Sequence, residues 1–240
     1  VESFRANEFW PAVRRLGATF SLMMGSIPAL LSSLPEEVDR KETPLRSVMF
    51  APLTAASIAF AKTVGVDWYT LFNMTEINLP LISQRNPEKV GTCGRLRSGA
   101  QVAVADSNDF ELDIGETGQL LVRDNTPWSL SHGYYKDPSA TASAWRNGWF
   151  HTGDVVRRDE DGDYFYVDRL KDVIRRRGEN ISSFEVEKEI MQYPGVDDAA
   201  AIGLPSEFGE DDVMIVLSPI AGQTVDPRAL IEFLIPRMPH

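Results

Sequence analysis

Extended and helical patterns alternate over residues 18–73 of the chain. Five segments are interpreted in turn as strand, helix, strand, helix and strand: "ATFSLMMG", "SIPALLSSLP", "SVMFAP", "TAASIAFAKTVG" and "DWYTLFN". A further helix, predicted at "NEFWPAVRRLG", precedes them and ends at Gly17. Strands that are joined by crossover helices run parallel in one sheet. The first part of the chain is therefore predicted to fold as an α/β unit.

From about residue 90 the pattern changes to short strands separated by turns. "AQVAVAD", "GQLLVRD" and "YFYVDR" are predicted strands, and the last of them follows the Asp-rich turn "DEDGD". Short strands with turns between them pair antiparallel. We therefore expect the α/β part to cover residues 1–78 and a β-rich part to cover residues 79–168.

The last part of the chain, residues 169–240, combines both types of element. A strand is predicted at "DVIRRRG", and a helix begins at Ser182 with Glu185 in capping-box spacing. Two further strands follow, and then a helix that begins at Asp226 with a proline in its first turn. This pattern predicts a small terminal α+β domain.

Composition restricts the class of protein. The 240 residues carry a formal net charge of −11, which does not favour the broad basic surface of a nucleic-acid-binding protein. Cys93 is the only cysteine, which fits a reducing cytoplasm. No apolar run approaches the roughly 20 residues of a membrane span, and the N-terminus does not resemble a signal peptide. The sequence thus predicts a soluble cytoplasmic protein.

The Asp-rich turn has the spacing of the first three ligands of an EF-hand loop, at Asp159, Asp161 and Asp163. The rest of that loop does not match, because Tyr164 stands where it needs glycine and Leu170 where it needs a bidentate glutamate. We therefore interpret this segment as a hairpin turn and not as a calcium site.

Residues 168–178 form a basic cluster in an otherwise acidic chain. Five basic and two acidic side chains give this stretch a local charge of plus three (5 − 2 = 3). Strand alternation places Arg175 and Arg177 on one face, and Gly178 allows close approach of a backbone. The spacing fits an anion-binding site and, equally, a charged strand edge that is exposed to solvent.

Seven motifs occur in order along nearly the whole chain: "LFNMTE", "GTCGR", "GETGQLLVRD", "GYYKDPSAT", "GWFHTGD", "DGDYFYVDRLKD" and "RRGENISSFEVE". Together they resemble the adenylate-forming superfamily of acyl-CoA synthetases, luciferases and peptide-synthetase adenylation domains. The "NMTE" and "GEN" segments are most similar to acyl-CoA ligases of the crotonobetaine/carnitine-CoA ligase type. The resemblance implies that residues 1–168 are the C-terminal part of a large AMP-binding domain and that residues 169–240 are a small, incomplete C-terminal domain.

The resemblance also implies where ATP binds. Thr75 and Glu76 match the Thr-Glu pair of the family's "YGxTE" motif, in which the hydroxyl contacts the α-phosphate and the carboxylate holds Mg²⁺. Phe72 stands where the family usually has an adenine-stacking tyrosine, and Asn73 stands where it usually has glycine.

Two further segments are assigned on the same resemblance. Ala51 and Pro52, in "FAPL", look like the segment that covers the other face of the adenine. Met24 and Gly25 are positional candidates for the acyl pocket. The acid itself is not predicted by these residues.

The C-terminal motifs imply ribose, hinge and CoA roles. Asp154 matches the aspartate that accepts both ribose hydroxyls, and Arg169 matches an arginine that also contacts the ribose. Lys171 falls at the family's hinge, near residues 169–172, about which the small domain turns between two orientations. Three residues match the loop that lines the pantetheine tunnel: Gly178, Glu179 and Asn180.

The implied reaction joins a small carboxylic acid to coenzyme A in two steps, through an acyl-adenylate. Because both steps move charge on phosphate and acyl oxygens, catalysis is expected to rest on positioning and electrostatics. The family's phosphate loop and its C-terminal lysine are not found in these residues. We therefore expect the sequence to be truncated at both ends and, by itself, to be deficient in adenylation.

Three functions stay open at this point. The first is an ATP- and CoA-dependent carboxylate ligase. The second is an adenylation domain that loads an amino or aryl acid onto a carrier protein, and the third is a non-catalytic protein that binds adenylate. The oligomeric state, a homodimer included, is not predicted by the sequence.

Overall fold

The structure is a computed structural model that describes residues 4–34, 43–176, 179–206 and 211–238. The chain divides into two compact units. The first unit comprises Val1–Thr152 and Val156–Tyr166, and the second comprises Gly153–Val155 and Val167–His240. Most of the loop predicted at "EEVDRKETP" lies outside the described residues.

The first unit is built on one large mixed sheet with helices packed on it. Its helices are α1 (Ala6–Leu16), α2 (Ile27–Ser32), α3 (Ala55–Val64) and α4 (Pro138–Ala144). The strands of its sheet are β1 (Phe20–Met24), β2 (Ser47–Ala51), β3 (Asp67–Met74), β4 (Asn78–Ile82), β5 (Thr92–Leu96), β6 (Ala100–Ala105), β7 (Thr117–Asp124), β8 (Trp145–Arg146), β9 (Trp149–Arg158) and β10 (Tyr164–Arg169). Residues 153–155 of β9 and 167–169 of β10 belong to the second unit. The strand order is β1-β2-β3-β4-β5-β10-β9-β7-β6, and β8 pairs with β9.

The first three strands run parallel, as the alternating pattern predicted. Ser47 of β2 lies opposite Phe20 of β1 on one side and opposite Asp67 of β3 on the other. The helices α2 and α3 supply the crossovers between these strands. As a result, the carboxyl ends of β1, β2 and β3 lie at the same edge of the sheet.

Antiparallel pairing begins at β3 and continues through the β-rich part. Leu71 of β3 lies opposite Ile82 of β4, and Ala100 of β6 lies opposite Asp124 of β7. The predicted strands "AQVAVAD", "GQLLVRD" and "YFYVDR" are confirmed as β6, β7 and β10. The mixed α/β architecture predicted for the chain is thus confirmed.

Aromatic packing anchors the helices to the parallel strands. The Trp10 ring of α1 stacks on Phe60 of α3 with centroids 6.1 Å apart, and Phe60 meets Phe50 of β2 edge-on at 6.4 Å. All three side chains are at most 2% exposed. Burying a side chain of this size contributes about 1.5–3 kcal/mol relative to exposure. The apolar face of α1 therefore fixes this helix against the sheet.

The Asp-rich turn between β9 and β10 is a hairpin turn, as predicted. The Gly162 N–H donates to the Asp159 carbonyl at 3.0 Å. The Lys89 ammonium lies 2.7 Å from Asp159, 2.6 Å from Asp161 and 3.1 Å from Asp163. The hydrogen bonds to these carboxylates, to Asp159 above all, raise the pKa of Lys89. The three carboxylates therefore share the positive charge of Lys89, and Asp163 also pairs with Arg95 at 3.1 Å.

The second unit has two small two-stranded sheets and two helices among its described residues. Its elements are β11 (Ile174–Arg176), β12 (Glu179–Ile181), α5 (Ser183–Ile190), β13 (Val196–Pro205), β14 (Asp211–Pro219) and α6 (Pro227–Leu234). β11 pairs with β12 and β13 pairs with β14, both antiparallel. The predicted strands and helices of this region are confirmed.

Capping side chains begin both helices of the second unit where the sequence predicted. The Ser182 hydroxyl oxygen accepts a hydrogen bond from the Glu185 N–H at 3.2 Å. Asp226 accepts a hydrogen bond from the Arg228 N–H at 3.0 Å. Each bond satisfies a backbone donor that the first helical turn leaves without a partner.

Candidate functional site

The candidate adenine and acyl residues lie at the carboxyl edge of the parallel strands. Met24 ends β1 and Ala51 ends β2, and the Gly25 N–H donates to the Ala51 carbonyl at 3.1 Å. Met24 is exposed and Gly25 has a φ of 54°, which favours glycine. Ligands of open α/β sheets bind outside the carboxyl ends of the strands. This edge is therefore suited to a small-molecule site.

The three predicted adenine residues and the neighbouring Asn73 differ in exposure. Pro52 and Asn73 are exposed, and Ala51 is half-buried. Phe72, in contrast, is 8% exposed and packs in the apolar cluster of the β-rich part with Ile77. Only a small part of the Phe72 ring is therefore available to a base.

Thr75 and Glu76 lie in the turn between β3 and β4. Thr75 is exposed, and the turn is closed by a hydrogen bond from the Ile77 N–H to the Met74 carbonyl at 3.3 Å. The Glu76 Oε1 accepts a hydrogen bond from the Tyr134 hydroxyl at 2.9 Å. Partial burial, and then this bond to Glu76, raise the pKa of the Tyr134 phenol. The phenol therefore stays protonated and remains a donor to Glu76 at neutral pH.

A single carboxylate with this geometry fits a magnesium ion that is held together with phosphate. Over the described parts of the chain, no group of three or more His, Cys, Asp and Glu side chains is arranged to hold a metal ion. Mg²⁺ usually binds through one or two carboxylates together with substrate phosphates and water. Glu76 alone therefore matches that mode of binding, and a complete protein cage is not required.

The predicted ribose residues contact each other in the second unit. Arg169 Nε lies 2.9 Å from Asp154 Oδ1, and the Asp154 side chain is 3% exposed whereas that of Arg169 is 46% exposed. Next to the pair, the Leu170 N–H donates to the Gly153 carbonyl at 2.7 Å. The structure thus brings Asp154 and Arg169 together across β9 and β10, and the arginine compensates the charge of the buried aspartate.

The predicted hinge lies in a tight turn after β10. Lys171 is exposed, and the N–H groups of Asp172 and Val173 both donate to the Arg169 carbonyl, at 2.9 and 3.0 Å. The Lys171 side chain lies on the solvent side of this turn. Its role as a hinge stays a prediction.

The basic cluster is partly engaged with acidic residues of β14. Arg176 lies 3.3 Å from the Asp212 carboxylate, and the Arg175 N–H donates to Asp211 at 3.2 Å. The ion pair of Arg176 favours the interpretation as a charged strand edge for this arginine. The contact of Arg175 is made by its backbone and does not test the role of its side chain. Arg177 lies outside the described residues.

The predicted pantetheine residues are only partly described. Gly178 lies outside the described residues, and Glu179 and Asn180 are placed only by their backbone, in β12 opposite Arg176 and Arg175. Their contact with CoA stays a prediction.

Sequence reasoning missed the residues that hold the candidate site in place. Tyr134 belongs to the "GYYKDPSAT" motif, but the residues did not indicate that it bonds to Glu76. The same motif contains helix α4, which the sequence analysis did not predict although Asp137 and Pro138 repeat the Asp-Pro signal of α6. The start of α4 was therefore detectable, whereas the bond to Glu76 was not.

Comparison with known proteins gives the relatives of this chain. No protein-family model matches it. The curated crotonobetaine/carnitine–CoA ligase of Proteus mirabilis (strain HI4320) is 30% identical over 238 residues, which cover 97% of this chain and 46% of that ligase. The chain thus spans about half the length of the curated relatives it matches.

Solved structures share the fold over the same extent. The amide bond synthetase McbA from Marinactinospora thermotolerans is 27% identical, with a TM-score of 0.79 over 99% of this chain and 49% of that chain. ATP-bound MatB from Rhodopseudomonas palustris is 26% identical, with a TM-score of 0.80 over 100% of this chain and 48% of that chain. No described helix has the length and apolar content needed to cross a membrane. In sequence, the chain is thus similar to crotonobetaine/carnitine–CoA ligases over nearly its whole length, and its fold matches the C-terminal half of the adenylate-forming enzymes.

Proposed function

We propose that the protein carrying this chain is an ATP-dependent carboxylate–CoA ligase that acts through an acyl-adenylate. The observation that carries the proposal is the 30% identity to a crotonobetaine/carnitine–CoA ligase along 97% of the chain. The position of Thr75 and Glu76 at the carboxyl edge of the parallel strands supports it. The substrate class is a small carboxylic acid.

In the first step, a carboxylate oxygen of the acid attacks the α-phosphorus of ATP. The bond from that phosphorus to the bridging oxygen breaks, and pyrophosphate leaves. We assign the exposed Thr75 hydroxyl to the α-phosphate as a hydrogen-bond donor and the Glu76 carboxylate to Mg²⁺. When it is bound, Mg²⁺ neutralises the negative charge that develops on the phosphate oxygens.

The nucleoside is held by two groups of residues. Ala51, Pro52 and Asn73 are assigned to the adenine, with Phe72 contributing the exposed part of its ring. The Asp154 carboxylate is assigned to the ribose hydroxyls, because its two oxygens can accept two hydrogen bonds. Arg169, which pairs with Asp154, is assigned to the same sugar.

In the second step, the thiol of coenzyme A attacks the acyl carbonyl carbon of the adenylate. The bond from this carbon to the phosphate oxygen breaks, AMP leaves, and the thiol proton passes to solvent. The backbone of residues 178–180 is assigned to the pantetheine arm. The exposed turn at Lys171 is assigned to the change of orientation between the two steps, because a hinge needs only a few residues whose backbone dihedral angles can change.

Amide formation is a second candidate function. The observation that favours it is the similarity to the amide bond synthetase McbA, at 27% identity over 99% of this chain. In that reaction, an amine would attack the acyl-adenylate in place of the thiol. The adenylation step and its residues would be unchanged, so the acyl acceptor alone distinguishes the two functions.

The test uses the whole protein that carries this chain. Pyrophosphate release from MgATP is measured with a panel of carboxylic acids that includes crotonobetaine and carnitine, each with coenzyme A or with an amine. We expect acid-dependent pyrophosphate release followed by a thioester. Amides with no thioester would select the second function, and no pyrophosphate with any acid would contradict both.

A further inference from the structure

Glu76 is attached at two points to one short segment that follows β7. The Ser131 N–H donates to the Glu76 carbonyl at 2.7 Å, and the Tyr134 hydroxyl donates to Glu76 Oε1 at 2.9 Å. The first bond fixes the backbone of the β3–β4 turn, and the second fixes the carboxylate. The side chain of Glu76 is therefore restrained by Tyr134, which lies 58 positions away in sequence.

The segment that carries Tyr134 is shaped by its own hydrogen bonds. The Tyr134 N–H donates to the Thr141 Oγ1 at 2.9 Å, and that hydroxyl donates to the Asp137 carbonyl at 2.8 Å. Asp137 also caps α4, since its Oδ1 accepts from the Ala140 N–H at 2.8 Å. The start of α4 thus determines where the Tyr134 backbone lies.

Gly133 allows this segment to approach the helix closely. A Cβ atom at Gly133 would lie 2.6 Å from the Thr141 Cγ2 and 2.9 Å from its Oγ1, and its φ is 133°. A side chain there would push the segment away from Thr141, because contacts below 3 Å are repulsive. Glycine thus permits the close approach at which Tyr134 bonds to Thr141.

We propose that Tyr134 is a positioning residue that orients the Glu76 carboxylate for a divalent cation bound with ATP. The inference rests on the proposed function of Glu76. The phenol engages Oε1, which would restrain the rotamer and leave the second oxygen, Oε2, to bind the ion. A neutral donor orients the carboxylate without cancelling its charge, unlike a lysine or arginine. In this role Tyr134 would act through Glu76 and not by contact with the ion or the nucleotide.

The adjacent tyrosine supplies a matched control. Tyr135 is 87% exposed, and its ring lies beside Lys136 at 5.2 Å. Tyr134→Phe and Tyr135→Phe therefore remove the same hydroxyl from neighbouring positions, and only the first removes a bond to Glu76. Thr141→Val is a second variant, because it deletes both bonds of the Thr141 hydroxyl and leaves Tyr134 unchanged.

The experiment titrates Mn²⁺, as a paramagnetic probe for the ion, into the whole protein with a non-hydrolysable ATP analogue. Free Mn²⁺ is measured by electron paramagnetic resonance. We expect Tyr134→Phe to weaken Mn²⁺ binding about tenfold, the lower end for loss of a residue that orients a metal ligand, because the phenol is partly exposed. Thr141→Val should weaken it less, and Tyr135→Phe should bind like the wild type. Thermal unfolding of each variant verifies that it is folded.

Two results would overturn the inference and differ in what they say about the proposed function. If Tyr134→Phe and Thr141→Val bind Mn²⁺ as Tyr135→Phe does, while Glu76→Gln binds it weakly, the positioning role is wrong and the proposed function stands. If Glu76→Gln binds Mn²⁺ as tightly as the wild type, the assignment of the ion to Glu76 is wrong, and the inference fails with it. In an active protein, we also expect Tyr134→Phe to raise the half-saturating Mg²⁺ concentration and to keep kcat near wild type at saturating Mg²⁺.

Discussion

Two candidate site regions hold their carboxylates in different ways. In the first unit, Glu76 lies in a half-buried turn and accepts a hydrogen bond from the neutral phenol of Tyr134. In the second unit, the buried Asp154 is paired with the guanidinium of Arg169 at 2.9 Å. The neutral donor leaves Glu76 with its full negative charge, whereas the cation compensates that of Asp154. The full negative charge of Glu76 therefore suits it to a metal ion. The charge-compensated Asp154 is suited to accept hydrogen bonds from hydroxyl groups.

Asp154→Ala should have the largest effect on activity. If Asp154 binds the ribose, the variant loses two charge-assisted hydrogen bonds, about 3 kcal/mol together, which corresponds to about 100-fold in kcat/KM for ATP. The measurement is pyrophosphate release at varied ATP concentrations in the whole protein. Asp172→Ala, in the exposed turn after β10, is the control. An unchanged KM and kcat for ATP in Asp154→Ala would show that the aspartate serves only the pair with Arg169.

Glu76→Gln should act on metal dependence more than on nucleotide affinity. The amide keeps the shape of the side chain and can accept the Tyr134 hydrogen bond, but it removes the charge that attracts Mg²⁺. We expect the half-saturating Mg²⁺ concentration to rise by about 10- to 100-fold. Glu88→Gln is the control, because Glu88 is exposed and pairs with Lys62 at 3.3 Å. Equal Mg²⁺ dependence in the two variants would mean that Glu76 does not hold the ion.

Asp168→Ala tests a buried carboxylate that lies outside both candidate site regions. Asp168 is 3% exposed, and its Oδ2 accepts from the Ser183 N–H at 2.6 Å and from the Ser183 hydroxyl at 2.9 Å. Its removal leaves buried donors at the start of α5 without an acceptor. We expect a loss of about 2–3 kcal/mol in the free energy of unfolding, measured by urea denaturation.

The control for Asp168 is Asp198→Ala. Asp198 is exposed and accepts from the adjacent Ala199 N–H at 2.9 Å. Its loss should cost less than about 0.5 kcal/mol, because water replaces the acceptor. Similar losses in both variants would mean that burial of Asp168 does not matter.

The smallest effect is expected in the pH dependence of stability at Asp109. Its carboxylate lies 2.9 Å from His151 Nε2, and hydrogen bonds from His151 and then from Asn147 lower the pKa of Asp109. A lowered pKa in the folded state stabilises the protein above the ordinary value of about 3.9, and this contribution is lost as the pH falls through the folded pKa. The wild type should therefore lose more thermal stability than Asp109→Asn between about pH 5 and pH 2.

Asp113→Asn is the matched control for this pH experiment, since Asp113 is an exposed aspartate of the same connection between β6 and β7. Its unfolding temperature should follow the wild type at every pH. If Asp109→Asn also follows the wild type, the contact with His151 does not contribute to stability.

Local patterns predicted most of the elements, because the interactions that specify them span only a few residues. Thr54, which caps α3 by accepting from the Ser57 N–H at 3.0 Å, and Ser182, which caps α5, both lie at predicted helix starts. The parallel order of β1 to β3 followed from the helices between them. The Asp-rich segment has the spacing of calcium ligands, but Tyr164 and Leu170 do not fit a calcium loop. These two mismatches led to the prediction of a hairpin turn, which the structure confirms.

The candidate site was predicted residue by residue, but its contacts were not. The motifs indicated Asp154 and Arg169 separately, and the structure adds that they form an ion pair. They also indicated Phe72 as an aromatic platform, and the structure adds that the alternation of β3 buries most of this ring. Which face of a strand is buried depends on the layer that packs against it, and a motif does not contain that information.

The sequence by itself determined the succession of strands and helices, their caps and the family motifs, since each depends on periodicity or spacing within a few residues. Only the tertiary structure decided which side chains meet over long distances. Lys89 reaches Asp159 across 70 positions, and Tyr134 reaches Glu76 across 58. These pairs depend on strand register, on the close approach at Gly133 and on burial. All three are set by packing of the whole unit, so no local pattern specifies them.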